Sequence, residues 1–409
     1  MNSWKLALTL SLALLASLAV LSTASPQNPT PPAVAVTGHL FKPGKTPATD
    51  ERIRGLKVPQ GFSVSVFAKD LGNPRMLAVS TDGTVYATRQ QSNDVIALSE
   101  DGNHTAPKLR VVVAGLEQVH GIAIHEGKVY LASPTTVWLS SIEADGGLSA
   151  PMPIIHDLPD GGQHRGRTID IGPDRMLYVS VGSSCNDCAE AGKDRATMLR
   201  FDLNGGGRTV FAQGLRNTIG FAWHPTTRTL WGMDNGSDWK GDDLPPEELN
   251  AIRENGDYGW PLCYGKRVVD RITVSEPVQV LGREMTKEQY CATTEPATLE
   301  YPAHSAPIGM VFYNANQFPP DFKGDALVAF HGSWNRQTPA GYKVVRVRFR
   351  NNQPQGFEDF LTGFLVDAGT RQFGRPAGIA VARDGALLVS DDANGLIYRI
   401  AYAGAGAAR

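Results

Sequence analysis

One phrase recurs six times along this chain: a small or glycine-containing step, a short apolar run, a turn, and a second apolar run. The copies are "PRMLAVSTDGTVYAT", "VHGIAIHEGKVYLAS", "GRTIDIGPDRMLYVS", "TIGFAWHPTTRTLWGM", "PIGMVFY" with "KGDALVAF", and "PAGIAVARDGALLVSDD". Asp-Gly, Glu-Gly and Pro-Asp at the turns mark each phrase as a β-hairpin. The equivalent second-strand positions are Tyr86, Tyr130, Tyr178, Trp231, Leu327 and Leu388. A single hairpin cannot cover its own apolar faces. Radially stacked four-stranded units bury one another's faces, and the early copies have the spacing of propeller blades. The expected fold is therefore all-β: a six-bladed β-propeller of four-stranded antiparallel blades, occupying residues 51–403 as one domain, with almost no helix.

The repeat spacing breaks between Trp231 and Leu327. A long inserted loop region, about residues 236–300, is expected there after the fourth blade. It carries "DNGSDWKGDDLPPEELNAIRENGDYGWP" and two of the four cysteines. Long insertions in compact folds are often functional.

The N-terminus reads as a secretory signal peptide over 1–24: Lys5, an apolar run from Leu6 to about Leu21, then Ser22, Thr23 and Ala24. Residues 25–50, rich in Pro, Ala and Thr, read as a flexible leader or an outer wrap. Export places the mature chain in the periplasm or outside the cell, where disulfides form. The cysteines fall at 185, 188, 263 and 291. A zinc site would need a partner pair to the CxxC at similar spacing, which is missing, so two local bridges are expected, Cys185 to Cys188 and Cys263 to Cys291. A formal net charge of −2 leaves no basic footprint for nucleic acid, and beyond the leader no apolar run is long enough for stable membrane insertion.

At the fourth copy the chain reads "GLRNTIGFAWHP", then "EELN" and "YGWP", with "GSSCNDC" before it and "HGSWNR" after it. In these motifs, and in their order, the sequence resembles the glucose/sorbosone dehydrogenase family, in its sorbosone-dehydrogenase-like branch. Those proteins are six-bladed propellers that use pyrroloquinoline quinone. The resemblance implies an exported quinoprotein with calcium. Its substrate would be a sugar or a related alcohol or aldehyde hydrate, and its two electrons would pass to an external acceptor.

The resemblance also assigns roles. The family's general base precedes the strand ending "GPD..LYVSVG", the place of His164 in "GGQHRGRTIDIGPD". A neutral imidazole suits proton abstraction because it accepts and later releases a proton. The cofactor carries three carboxylates and calls for forked cationic donors: Arg216 and Asn217 in "GLRN" and Arg375 in "FGRP" match its contacts. A lysine of the glucose-oxidising members is absent, leaving Arg336 or His331 for its place. A glutamine contact in the second blade has no exact counterpart, with Gln118 and His120 both near its place, and an aspartate beside the base is replaced by Ser183. Calcium would be held by carbonyls of Gly236 and Ser237 in "NGSD", and a second, structural ion by Glu248 and the Tyr258 carbonyl. Hard cations favour such oxygen donors. Two other readings fit a propeller: a calcium-dependent hydrolase of the lactonase kind, and a binding module without chemistry.

Overall fold

The computed structural model describes residues 36–99, 107–273, 278–280 and 282–404. The expected signal peptide, and the expected leader up to residue 35, lie outside the described residues. Among these residues are five four-stranded sheets and one five-stranded sheet. Helix among the described residues is limited to Asp50–Arg54, Lys287–Cys291 and two single 3₁₀ turns.

Each recurring phrase forms the first two strands of one sheet. In chain order, the first strands are Leu77–Val79, Gly121–His125, Arg167–Ile171, Thr218–Trp223, Pro307–Phe312 and Pro376–Val381. The turns do what their residues allow: Glu126 and Gly127 both take positive φ, joining Gly121–His125 to Lys128–Ala132 in two residues. Each first strand touches the first strands of the sheets before and after it, and the sixth touches the first, so the six close a circuit.

Glycine makes this approach possible. A Cβ on Gly121 would lie 2.4 Å from the Arg167 carbonyl oxygen, one on Gly309 2.3 Å from that of Ala377, and one on Gly378 2.1 Å from that of Arg75. The small step of the sequence phrase is the point where neighbouring first strands meet.

The core is divided into slabs between successive sheets. Leu177, Val179 and Val181 of one strand pack toward the second sheet with Ala123, Tyr130 and Ala132. Tyr178, between them in sequence, packs the other way with Phe221 and Leu230 of the fourth. Both faces of the sheet are buried, so the strand reads as a continuous apolar run rather than an alternation. All six of the matched second-strand positions are at most 3% exposed.

The sixth sheet joins the chain ends. Phe62–Ala68 pairs antiparallel with Leu396–Tyr402, giving that sheet one N-terminal and three C-terminal strands. Ahead of it, Gly44–Lys45 pairs with Arg371–Gln372, and His39 bonds the Asp242 carboxylate. Both expected disulfides are formed, Cys185–Cys188 and Cys263–Cys291.

One expectation requires correction. The long excursion does not follow the fourth sheet; it lies inside it. Glu247–Ile252 is that sheet's third strand and Leu299–Tyr301 its fourth; the chain leaves the sheet over 235–246, ahead of the third strand, and again, for longer, between Ile252 and Leu299. There it forms two small hairpins and a helix, and adds Gly256–Asp257 in parallel to the third sheet's outer strand. The strand "EELNAI" was disguised by Glu247, Glu248 and Asn250, three buried polar side chains where a core strand would ordinarily be apolar.

Candidate active site

The candidate residues gather where the chain enters the first strands. Arg75, His120, His164, Asn217 and Arg375 each stand one to three residues before such a strand. A closed chain of contacts joins these entries. Arg75 N donates to the Thr88 carbonyl and Thr88 Oγ1 to that of His120. The His120 ring lies against Gly166, beside His164. A Cβ on Gly182 would meet both His164 Cβ and Asn217 Oδ1 at 2.6 Å, so that glycine lets base and amide share one wall. Asn235 Nδ2 donates to the carbonyls of Asn217 and Pro307, His331 N to that of Ala306, next to Pro307, and Arg375 Nε to that of His331. His331 returns to Arg75 at 3.4 Å.

His164 is partly buried, and its Nδ1 lies 2.8 Å from Ser183 Oγ and 3.1 Å from the Ser183 carbonyl. The Ser183 hydroxyl proton is spent on the Cys185 carbonyl at 2.7 Å. Nδ1 therefore carries the imidazole proton, and Nε2 keeps its lone pair. Burial, and then the Arg216 guanidinium, push His164 down to about 3. Ser183, the residue that replaces the aspartate of the resembled family, orients the ring without adding charge to oppose that shift.

Arg216 is 3% exposed. Its Nε and one Nη reach the carbonyl and side-chain oxygens of Asn186, and the other Nη the Asn235 carbonyl. Three of its five donors are thus committed, and one Nη also faces the Asp238 carboxylate at 3.6 Å. Arg375 uses two, on the carbonyls of His331 and Gly332. With Arg75, Lys42 and Lys45 it lines a cavity of about 660 Å³ between the first and sixth sheets, a volume within the range of small-molecule sites. Asp392 pairs with Arg75 and with His331 at 2.8 Å. Burial works against its charge, but His331 and Arg75 outweigh it and hold the carboxylate well below its usual range. Arg75 Nε is buried without a partner. Sequence reasoning passed over Arg75, although "PRM" puts an arginine ahead of a first strand as "LRN" and "GRP" do.

Gly236, Ser237, Glu248 and Tyr258 are brought together. With Arg216 and Asp234 they line an enclosed cavity of about 20 Å³, room for one ion or one water. Burial raises Asp234 to about 6 and Glu248 to about 8, the direction expected of carboxylates taken out of water. Carboxylates of this kind suit a hard divalent ion.

Two candidates stand apart from this arrangement. Gln118 is held through its backbone N–H by Asn93 Oδ1, at φ 48°. Arg336, itself mostly buried and with Nε unpartnered, bonds the Ala303 carbonyl and the exposed Asp243.

Against known proteins, residues 56–403 match the family model described as TrAA12-like. An uncharacterised protein of Borreliella burgdorferi is 30% identical over 373 residues, covering 87% of this chain and 93% of that one. The pyrroloquinoline quinone-dependent pyranose dehydrogenase of Coprinopsis cinerea is 25% identical over 84% of this chain, which spans 54% of that longer protein. The calcium structure of the Trichoderma reesei carbohydrate-active enzyme of family AA12 superposes with a TM-score of 0.70 at 22% identity, over 85% of this chain and 97% of that one.

Proposed function

The chain belongs to the TrAA12-like family, and from that premise we propose that it is an exported, pyrroloquinoline quinone-dependent sugar dehydrogenase built as a six-bladed propeller. The observation that carries this reading is a neutral imidazole, its Nε2 lone pair free, beside the buried Arg216, on the same circuit of strand entries that carries Arg75 and Arg375. The relatives' names supply the cofactor and substrate class: a quinone-dependent pyranose dehydrogenase in one, a calcium-containing carbohydrate-active enzyme in another.

Arg75, Arg216 and Arg375 would hold the carboxylates of the quinone, which when bound supplies the acceptor for two electrons from the sugar carbon. Gly236, Ser237 and Tyr258 would offer carbonyls, and Glu248 its carboxylate, to a single calcium ion in the cavity they line together, in place of the two separate ions that the resemblance implies. His164 Nε2 takes the proton of the substrate hydroxyl, and Ser183 fixes the ring by holding Nδ1–H. Asn217, sharing the Gly182 wall with His164, borders the same space. An external acceptor then re-oxidises the enzyme.

The test is titration of the purified full chain with quinone and calcium, followed by dye-linked oxidation of monosaccharides. Stoichiometric quinone binding with calcium-dependent turnover is expected. His164→Gln should lower turnover by ~100-fold or more while leaving quinone affinity near wild type. Absence of quinone binding at micromolar concentrations would refute the assignment.

A further inference from the structure

We propose that the Cys185–Cys188 disulfide is a positioning element of this site, holding in one short ring the groups that orient both the base and the buried cation. Residues 184–189 have no regular secondary structure. Their conformation rests on the bridge and on side-chain bonds, and those bonds lead to functional groups.

On one side stands His164. Its Nδ1–H is received by Ser183, whose hydroxyl is aimed by the Cys185 carbonyl at 2.7 Å. Gln163, adjacent to His164, donates its N–H to the Ser184 carbonyl at 2.8 Å. On the other side stands Arg216. Asn186, between the two cysteines, takes Arg216 Nε on its carbonyl and one Nη on Oδ1, both at 2.9 Å. The same side chain bonds Asp238 N and the Asp238 carbonyl. Ser183 N donates to the Arg216 carbonyl at 2.8 Å, joining the two sides. Asp187, the other residue inside the ring, pairs with the buried Lys240 at 2.6 Å and accepts from Thr273 Oγ1, tying the ring to the excursion of the fourth sheet.

The bridge is poorly suited to a purely global role. It closes a sequence separation of 3, against 28 for Cys263–Cys291, and chain-entropy stabilisation grows with loop length. The two bridges also differ in access. Cys185 and Cys188 are partly exposed, whereas Cys263 and Cys291 are at most 3% exposed. A soluble phosphine should therefore open the first selectively. In that reaction the phosphine becomes its oxide, taking oxygen from water, and the sulfurs leave as two thiols.

The experiment uses the cofactor-free full chain, selectively reduced and checked by alkylation and mass spectrometry, alongside the Cys185→Ser/Cys188→Ser variant. The ¹⁵N signals of the His164 ring, assigned by their loss in His164→Gln, report its tautomer, and circular dichroism reports the fold. In the oxidised protein His164 should be Nδ1-protonated. After opening, with the strand signal retained, a mixture of tautomers should appear. Quinone affinity should fall with it, and kcat should fall ~10- to 100-fold, a larger change than in KM, as misplacement of a base predicts. An unchanged tautomer and quinone affinity after complete reduction would overturn the proposal, as would collapse of the whole fold on selective reduction, which would make the bridge a general staple. The affinity and rate arms rest on the proposed quinone chemistry. The tautomer arm does not, so a protein that binds no quinone would sink that chemistry while still deciding this inference.

Discussion

His164 is neutral because protonating it would place a cation beside Arg216 in a partly buried pocket that offers no carboxylate to Nδ1. This has a measurable consequence for stability. Its folded value of about 3 lies below the ordinary 6.5 that the unfolded chain retains. As pH falls below 6.5 the unfolded state therefore gains a proton that the folded state refuses, and stability is lost. Full linkage across the interval from about pH 7.5 to about pH 5 sets a ceiling of about 2 kcal/mol on this loss. His164→Gln removes the titration. Its stability, measured by urea unfolding, should therefore fall less than that of wild type over the same interval, with the difference vanishing above about pH 7.5. Equal losses in the two proteins would show that His164 ionises in the fold as it does in water. His120 and His331 are pushed down to about 3 and about 4, in both cases mainly by burial. They remain in both proteins and cancel from the comparison.

At the scale of strands, contact between neighbouring sheets depends on glycines that admit a carbonyl. Gly309→Ala puts a methyl 2.3 Å from the Ala377 oxygen, where backbone must move, and should cost ~1 to 3 kcal/mol in urea unfolding. Gly192, with no atom within 4 Å of its built Cβ, is the control; its alanine variant should stay within ~0.5 kcal/mol of wild type. A Gly309→Ala protein as stable as the control would mean that the first strands have room to separate. The same feature explains what could be read beforehand. Hairpins were legible because both strands of each are buried on two faces and run apolar between recognisable turns. The fourth sheet's outer half was not: Glu247 and Glu248 interrupt the pattern, and the chain leaves after Ile252 to return only at Leu299. His164, Arg216 and Arg375 were legible through motifs placed just ahead of first strands. Arg75 had the position without the motif, and its partner Asp392 lies more than three hundred residues away in sequence.

For the whole molecule, the closing contact is the one that brings the chain ends together. Phe62, on the N-terminal strand of the sixth sheet, packs its ring 4.7 Å from Phe318, 5.3 Å from Phe322, 5.2 Å from Phe360 and 5.0 Å from Tyr402. Three of these partners belong to the stretch that makes and flanks the fifth sheet, so one side chain joins the N-terminal strand to the neighbouring sheet. Phe62→Ala should cost ~3 to 5 kcal/mol, the range for deleting a buried ring. Val66, 38% exposed on the same strand, supplies the control, and its alanine variant should change stability by less than ~0.5 kcal/mol. Calorimetry then tests how the loss is distributed. If each sheet needs both neighbours to cover its faces, opening the ring at one seam uncovers the next, and Phe62→Ala should still melt in one transition, at lower temperature, with calorimetric and van't Hoff enthalpies equal. A stack of sheets stabilised only by nearest neighbours would instead fray from the weakened seam. An early partial transition in Phe62→Ala, followed by a remainder melting where wild type does, would show that the ring does not unfold as one body.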